Sequence, residues 1–215
     1  MIIITGMIAC DKDVTDFGND ATFSGKVKDQ AGNVVPSTTT SNTLMVQALG
    51  ENDQITTDIR IKGDGSFQNT KLFPKKYKIW ISGPARQKQD TLFIDFGSNK
   101  QVMQDIVVEP FIALKTPGVV GSPTTNSATI SFDMAANAPS TVSKRELYCS
   151  TVTYPDGSTG SGPYYDTKKL TLATDKGTIS VTGLSPKTTY YVRIGAQANG
   201  AAGFNFSEQI SFQTP

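Results

Sequence analysis

The sequence predicts an all-β chain folded as two β-sandwich domains in tandem. Three observations lead there. Hydrophobic (37%) and charged (18%) residues are both sparse, so polarity rests on Thr, Ser, Asn and Gln among 19 Gly and 11 Pro. That mixture suits short strands joined by tight turns, where Gly and Pro supply the special backbone angles. Apolar residues alternate with a period of two between Gly-, Asn- and Asp-containing clusters, and no ten-residue window carries a helical stripe. A chain of 215 residues has room for two units of about 100 residues each. The expected division is a leader and tether over 1–20, a first sandwich over 21–114 and a second over 115–215.

The leader begins with the apolar run from Met1 to Ala9, followed by Cys10. It is too short to span a bilayer and lacks a basic flank. It reads either as a short apolar strand or loose terminus, or as the end of a lipoprotein signal whose start is truncated or misassigned. Met7-Ile8-Ala9-Cys10 resembles a bacterial lipobox, which implies lipidation at Cys10. The acidic stretch from Asp11 through Asp13 to Asp16 resembles the export signals of Bacteroidetes surface lipoproteins; otherwise it is a solvated tether. It lacks the Gly and final Glu of a calcium-binding EF-hand loop.

In the first sandwich, Phe23, Gly25 and Val27 share one strand face, and Asp29–Asn33 turn the chain. Leu44–Leu49 forms a second strand. Ile59 and Ile61 alternate in a third, which ends at Gly63-Asp64-Gly65, a hairpin signal. Tyr77, Ile79 and Ile81 point one way, whereas Lys78, Trp80 and Ser82 point the other. Leu92, Ile94 and Phe96 repeat the alternation, and Val102 with Ile106–Val108 closes the unit. The stretches Phe23–Pro36 and Asp64–Ile79 resemble prealbumin-like domains, known as regulatory domains of carboxypeptidases and from bacterial surface proteins. That family usually carries Gly where Lys75 follows Pro74, a departure expected to touch the turn and spare the strands. Leu114–Gly118, short and Pro-bearing, is expected to be the joint.

In the second sandwich, Ser127–Phe132 alternates, and Lys144–Tyr154 is a long β-rich run. Two Gly/Pro clusters, Pro155–Gly157 and Gly160–Pro163, follow it. Leu184, Pro186 and Tyr190 have the Leu-x-Pro-x-x-x-Tyr spacing of fibronectin type III domains, and the resemblance spans about 95 residues. It implies a tyrosine corner, in which a buried Tyr190 ring sends its hydroxyl back to upstream backbone. It also implies that Phe132 fills the place of the usual core Trp.

Several chemistries are excluded or left without support. The chain contains no histidine, which removes Ser-His-Asp triads, Cys-His dyads and His-based zinc sites. Twenty basic against 19 acidic residues give no electrostatic footprint for nucleic acid. No catalytic residue, metal ligand or cofactor is expected, and Cys149 reads as a small buried hydrophobe in a strand. The acidic residues fall mostly in turns, a poor setting for paired catalytic carboxylates.

The candidate ligand contacts are aromatic. Trp80 lies on a polar strand face, where it either stacks on a sugar or is covered by the other domain or a loop. Tyr164 and Tyr165 follow a Gly-rich loop, as a ligand platform or as one inward and one surface ring. Phe204 and Phe206 fall in the region that serves as a recognition loop in many fibronectin-like domains; the reading favoured is that they start the last strand and enter the core. Taken together, leader and domains resemble Bacteroidetes accessory lipoproteins encoded beside starch-utilisation-type glycan importers. This implies a non-catalytic, lipid-anchored outer-membrane protein at the cell surface, touching the membrane only through its anchor. Its partners would be glycans or outer-membrane glycan-importer proteins. The alternative is a structural, adhesin-like or scaffold module that contacts another protein through a sheet edge.

Overall fold

A computed structural model describes residues 17–38 and 43–215. Cys10, the run before it, and Asp11, Asp13 and Asp16 lie outside the described residues. Regular structure among the described residues is entirely strand, arranged as two sandwiches in series.

The first sandwich is built from β1 (Ala21–Lys28), β2 (Met45–Gly50), β3 (Thr57–Arg60), β4 (Ser66–Leu72), β5 (Lys76–Ser82), β6 (Ala85–Gln87), β7 (Leu92–Asp95), β8 (Gln101–Met103) and β9 (Ile106–Pro110). One sheet runs β4-β1-β9-β6, with β8 also on β1; the other runs β3-β2-β5-β7. The alternation seen in sequence decides what lies between them. Phe23, Val27, Val46, Ile59, Tyr77, Ile79, Phe96 and Ile106 point inward and form one core. The last strand comes in two pieces, β8 and β9, both parallel to β1. Between them the Gln104 carbonyl passes so near Gly25 that a Cβ there would lie 2.1 Å from it. Gly25 is therefore required for a close backbone approach. The hairpin at Asp64-Gly65 links the two sheets: Lys62 N–H donates to Ser66 O (2.8 Å), with Gly65 at φ +73°.

Lys75, standing where a Gly was expected, does not disturb β5. Its N–H donates to Phe73 O at 2.9 Å, and its ammonium pairs with Asp53 at 2.6 Å. The same ammonium lies 5.9 Å from the Phe73 ring centroid and 5.7 Å from that of Tyr77.

The second sandwich comprises β10 (Ile112–Leu114), β11 (Gly118–Val120), β12 (Ser127–Ala136), β13 (Val142–Ser150), β14 (Thr167–Thr171), β15 (Lys176–Thr182), β16 (Thr189–Ala198), β17 (Phe204–Phe206) and β18 (Ile210–Gln213). β10, β11 and β15 pair with β12, and β14-β13-β16 continues into β17 and β18. Phe132, Cys149, Leu184, Tyr190, Val192 and Phe212 belong to its core. Burial pushes the Cys149 thiol up to about 12.

The expected joint at Leu114–Gly118 is not where the chain crosses. Pro110 still pairs with Ala85 in the first sandwich, whereas Ile112–Leu114 already pairs with Met134–Ala136 in the second. The crossing falls at Phe111. Leu114–Gly118 instead interrupts the first strand of the second unit, between β10 and β11. Pro117 has no N–H to give a ladder, so the signal read as a linker is a strand break.

Side chains bind the two units directly. Arg86 pairs with Glu109 (2.7 Å) and donates to the Asn137 and Ala138 carbonyls (3.0 Å each) and Ser140 Oγ (3.1 Å). Asn205 donates to Pro84 O (2.9 Å) and accepts from Ile112 N–H (3.0 Å). Arg193, with no exposed surface, donates to Ser37 O at 3.0 Å and Ser207 O at 3.3 Å and lies over the Phe206 ring at 4.4 Å. Thr38 donates to Asp156 across the same junction.

Candidate functional site

The outer face of the β3-β2-β5-β7 sheet collects the features a ligand platform needs. Its composition follows from strand parity: Tyr77, Ile79 and Ile81 enter the core, so Lys76, Lys78, Trp80 and Ser82 must face out. Register then names their neighbours. Lys78 lies between Leu49 on β2 and Phe93 on β7, Trp80 lies opposite Gln47, and Gln47 lies opposite Asp58 on β3. Phe93 is 78% exposed, and Trp80 is half-buried. The two aromatic residues stand diagonally across adjacent strands, on either side of the Lys78 stem. Such neighbours lie about 7–8 Å apart. The Lys78 ammonium sits 5.7 Å from the Trp80 ring centroid.

Polar groups on this face are oriented by one another. Gln47 Nε2 donates to Asp58 Oδ1 at 2.8 Å, which fixes the amide plane. The Gln47 carbonyl oxygen and the second Asp58 oxygen keep lone pairs directed away from that bond. Beside them is a groove of about 510 Å³ lined by Leu49, Glu51, Lys76, Lys78, Phe93 and Asp95. Its volume falls within the range of small-molecule sites, and it combines an apolar floor with both signs of charge at the rim.

The other sequence candidates lie elsewhere. Tyr164, 93% exposed, and Tyr165 both lie exposed in the loop between β13 and β14 of the second unit. Neither belongs to the β3-β2-β5-β7 sheet that carries Trp80, so Trp80 and the tyrosine pair are separate surfaces. Tyr190 is fully buried; its hydroxyl accepts from Ser185 N–H (2.9 Å) and donates to Asp166 Oδ2 (2.8 Å), just beyond Leu184 and Pro186. Phe204 and Phe206 do begin a strand, but they do not join the second core. They lie on the outer side of the β13-β16-β17 sheet, where the rings of Tyr148, Phe204 and Phe206 close over Gly195. A Cβ at Gly195 would lie 2.8 Å from the Tyr148 ring, so the bare residue makes room for this cluster.

Phe93, Gln47 and Asp58 were not singled out from sequence. Phe93 carried a readable signal, since Leu92 and Ile94 pointing in leave it pointing out. Gln47 and Asp58 carried none, because their meeting depends on the β2–β3 register.

Comparison with known proteins gives a fold. No family model matches the sequence, and no curated protein matches it. Among solved structures, the chain is similar to a DUF3823 family protein from Bacteroides ovatus. That match has 20% identity and a TM-score of 0.71 and covers 91% of this chain and 100% of that one. A DUF3823 family protein from Parabacteroides merdae follows at 16% identity and TM-score 0.69, covering 90% and 98%. A third, from Bacteroides uniformis, is described as a "putative carbohydrate binding protein", at 19% identity and TM-score 0.68, covering 91% and 100%. The likeness spans both sandwiches. It bears out the two sandwiches in series expected from the sequence. At these identities it speaks for architecture, and the site must be argued from its own residues.

Proposed function

We propose that the protein is a non-catalytic carbohydrate-binding module whose ligand lies on the outer face of the β3-β2-β5-β7 sheet. One observation carries the reading: Trp80 and Phe93 share a solvent-facing sheet surface with the Gln47–Asp58 pair. The C–H faces of pyranose rings are apolar and pack on aromatic faces, while their equatorial hydroxyls seek planar amide and carboxylate partners. A flat sheet supplies both without a deep cavity. The Bacteroides uniformis neighbour's description supports the same class of ligand. We further propose a cell-surface setting, with lipid at Cys10 as the anchor and a glycan-uptake system of the outer membrane as partner.

A glycan-array screen of residues 20–215 tests this, repeated with Trp80→Ala, Phe93→Ala and the pair Tyr164→Ala/Tyr165→Ala. Glycan binding is expected in the parent, with a loss of at least about tenfold in the first two variants at unchanged melting temperature. The tyrosine pair is expected to bind as the parent does. Binding lost only with the tyrosine pair would move the site to the second unit. A protein that binds no glycan would be read as a scaffold module.

A further inference from the structure

Resting on that reading, we infer that the bound glycan is a polymer chain whose track runs off the first sandwich and over the β16–β17 loop of the second. Along β5 the outward residues Lys78, Trp80 and Ser82 are spaced by two residues, about 6.7 Å per step. They are matched on β2 by Leu49, Gln47 and Met45. The Phe93 groove lies at the Lys78 end of this row. At its other end the row reaches Ser82. It opens into a second groove of about 390 Å³ with Met45, Ser82 and Pro84 on one side and Gly200–Gly203 on the other.

That groove continues into a third of about 310 Å³ that shares Thr43, Ala202 and Gly203 with it and reaches Phe204, Tyr148 and Lys169. The loop wall consists of Gly200, Ala201, Ala202 and Gly203, so no side chain larger than a methyl stands between a ligand and the main chain. Phe204, half-buried, and the Lys169–Glu146 ion pair (3.1 Å) extend the aromatic and mixed-charge character of the first face onto the second. The two walls are held in register. Asn205, directly after Phe204, donates to the Pro84 carbonyl at 2.9 Å, which ties the loop hairpin to the turn that follows β5. Walls fixed before binding cost no ordering entropy when a ligand spans them. A monosaccharide would use one groove; an extended chain would use the row.

The test is affinity electrophoresis in gels containing laminarin, pullulan, xylan or polygalacturonate. Titration follows with size-fractionated oligosaccharides from the polysaccharide that retards the parent most. Parent affinity should rise with chain length beyond the disaccharide. Ala202→Trp, introduced at an exposed position, fills the second groove. It should cut affinity for the polysaccharide about tenfold and leave the disaccharide within about twofold. Met45→Ala, on the opposite wall, should cut it about threefold. Ala202→Trp and Met45→Ala proteins that bind long chains as the parent does would confine the site to the first sandwich and overturn the inference. The glycan-binding reading would survive, provided Trp80→Ala still abolished retardation. Undiminished binding by Trp80→Ala at every length, or no retardation of the parent in any gel, would overturn that reading and the inference together.

Discussion

The Tyr190 hydroxyl holds two segments at once, accepting from Ser185 N–H and donating to Asp166, which is itself paired with Lys168 at 2.8 Å. Its ring stacks at 5.9 Å on Phe212. Tyr190→Phe keeps the ring and deletes the bonds, taking the acceptor from Ser185 N–H and leaving Asp166 to Lys168. We expect a loss of about 1–3 kcal/mol in denaturant unfolding with glycan binding unchanged. A variant as stable as the parent would show that the bonds are not part of the fold's support. Tyr77 does a related job in the first sandwich, where its hydroxyl accepts from Phe73 N–H at 3.2 Å. The stretches Leu72-Phe-Pro-Lys-Lys-Tyr77 and Leu184-Ser-Pro-Lys-Thr-Thr-Tyr190 are alike because both fasten a crossover to the strand that follows.

At the scale of elements, most strands were legible because each presents one face to a core. The alternation of Tyr77, Ile79 and Ile81 is by itself enough to place Trp80 outside. What alternation could not supply was the meaning of breaks. Pro117 looks the same in a linker and in a split strand, and only the pairing of Ile112–Leu114 with β12 decides between them. Phe204 and Phe206 were misjudged for a related reason. Period two says they share a face, and it does not say that this face of the sheet is the one turned toward a second domain. The platform itself was half legible: Trp80 and Phe93 follow from parity, whereas Gln47 and Asp58 meet through a register that no local pattern encodes.

At the scale of the molecule, the junction is polar and expensive. The Arg193 guanidinium is buried, with Nη1 lacking a hydrogen-bond partner among the described residues, and desolvation brings its pKa down to about 10. It therefore remains charged at neutral pH, held by the Ser37 and Ser207 carbonyls and the Phe206 ring. Asp156 sits in the same junction. Burial alone would raise its carboxyl, but hydrogen bonds from Ser158 and Thr38 outweigh that and leave it below its ordinary 3.8. A carboxyl depressed in the folded state stabilises fully above its unfolded value, and that contribution is lost as pH falls through the folded value. Denaturant unfolding at pH 6 and pH 3 should thus show a larger acid loss in the parent than in Asp156→Asn. Equal losses would remove Asp156 from the account of the junction.

A glycan stacked on Trp80 would be reported by that ring itself. Because Trp80 is the only tryptophan in the chain, its emission reports on that one position. The direct measurement is Trp fluorescence, with acrylamide quenching, during titration with the polysaccharide that retards the protein. A stacked sugar should shift the emission to shorter wavelength and protect the ring from acrylamide, both saturating with the binding isotherm. Saturable binding that leaves the emission and quenching of Trp80 unchanged would place the ligand away from Trp80 and overturn the proposed site.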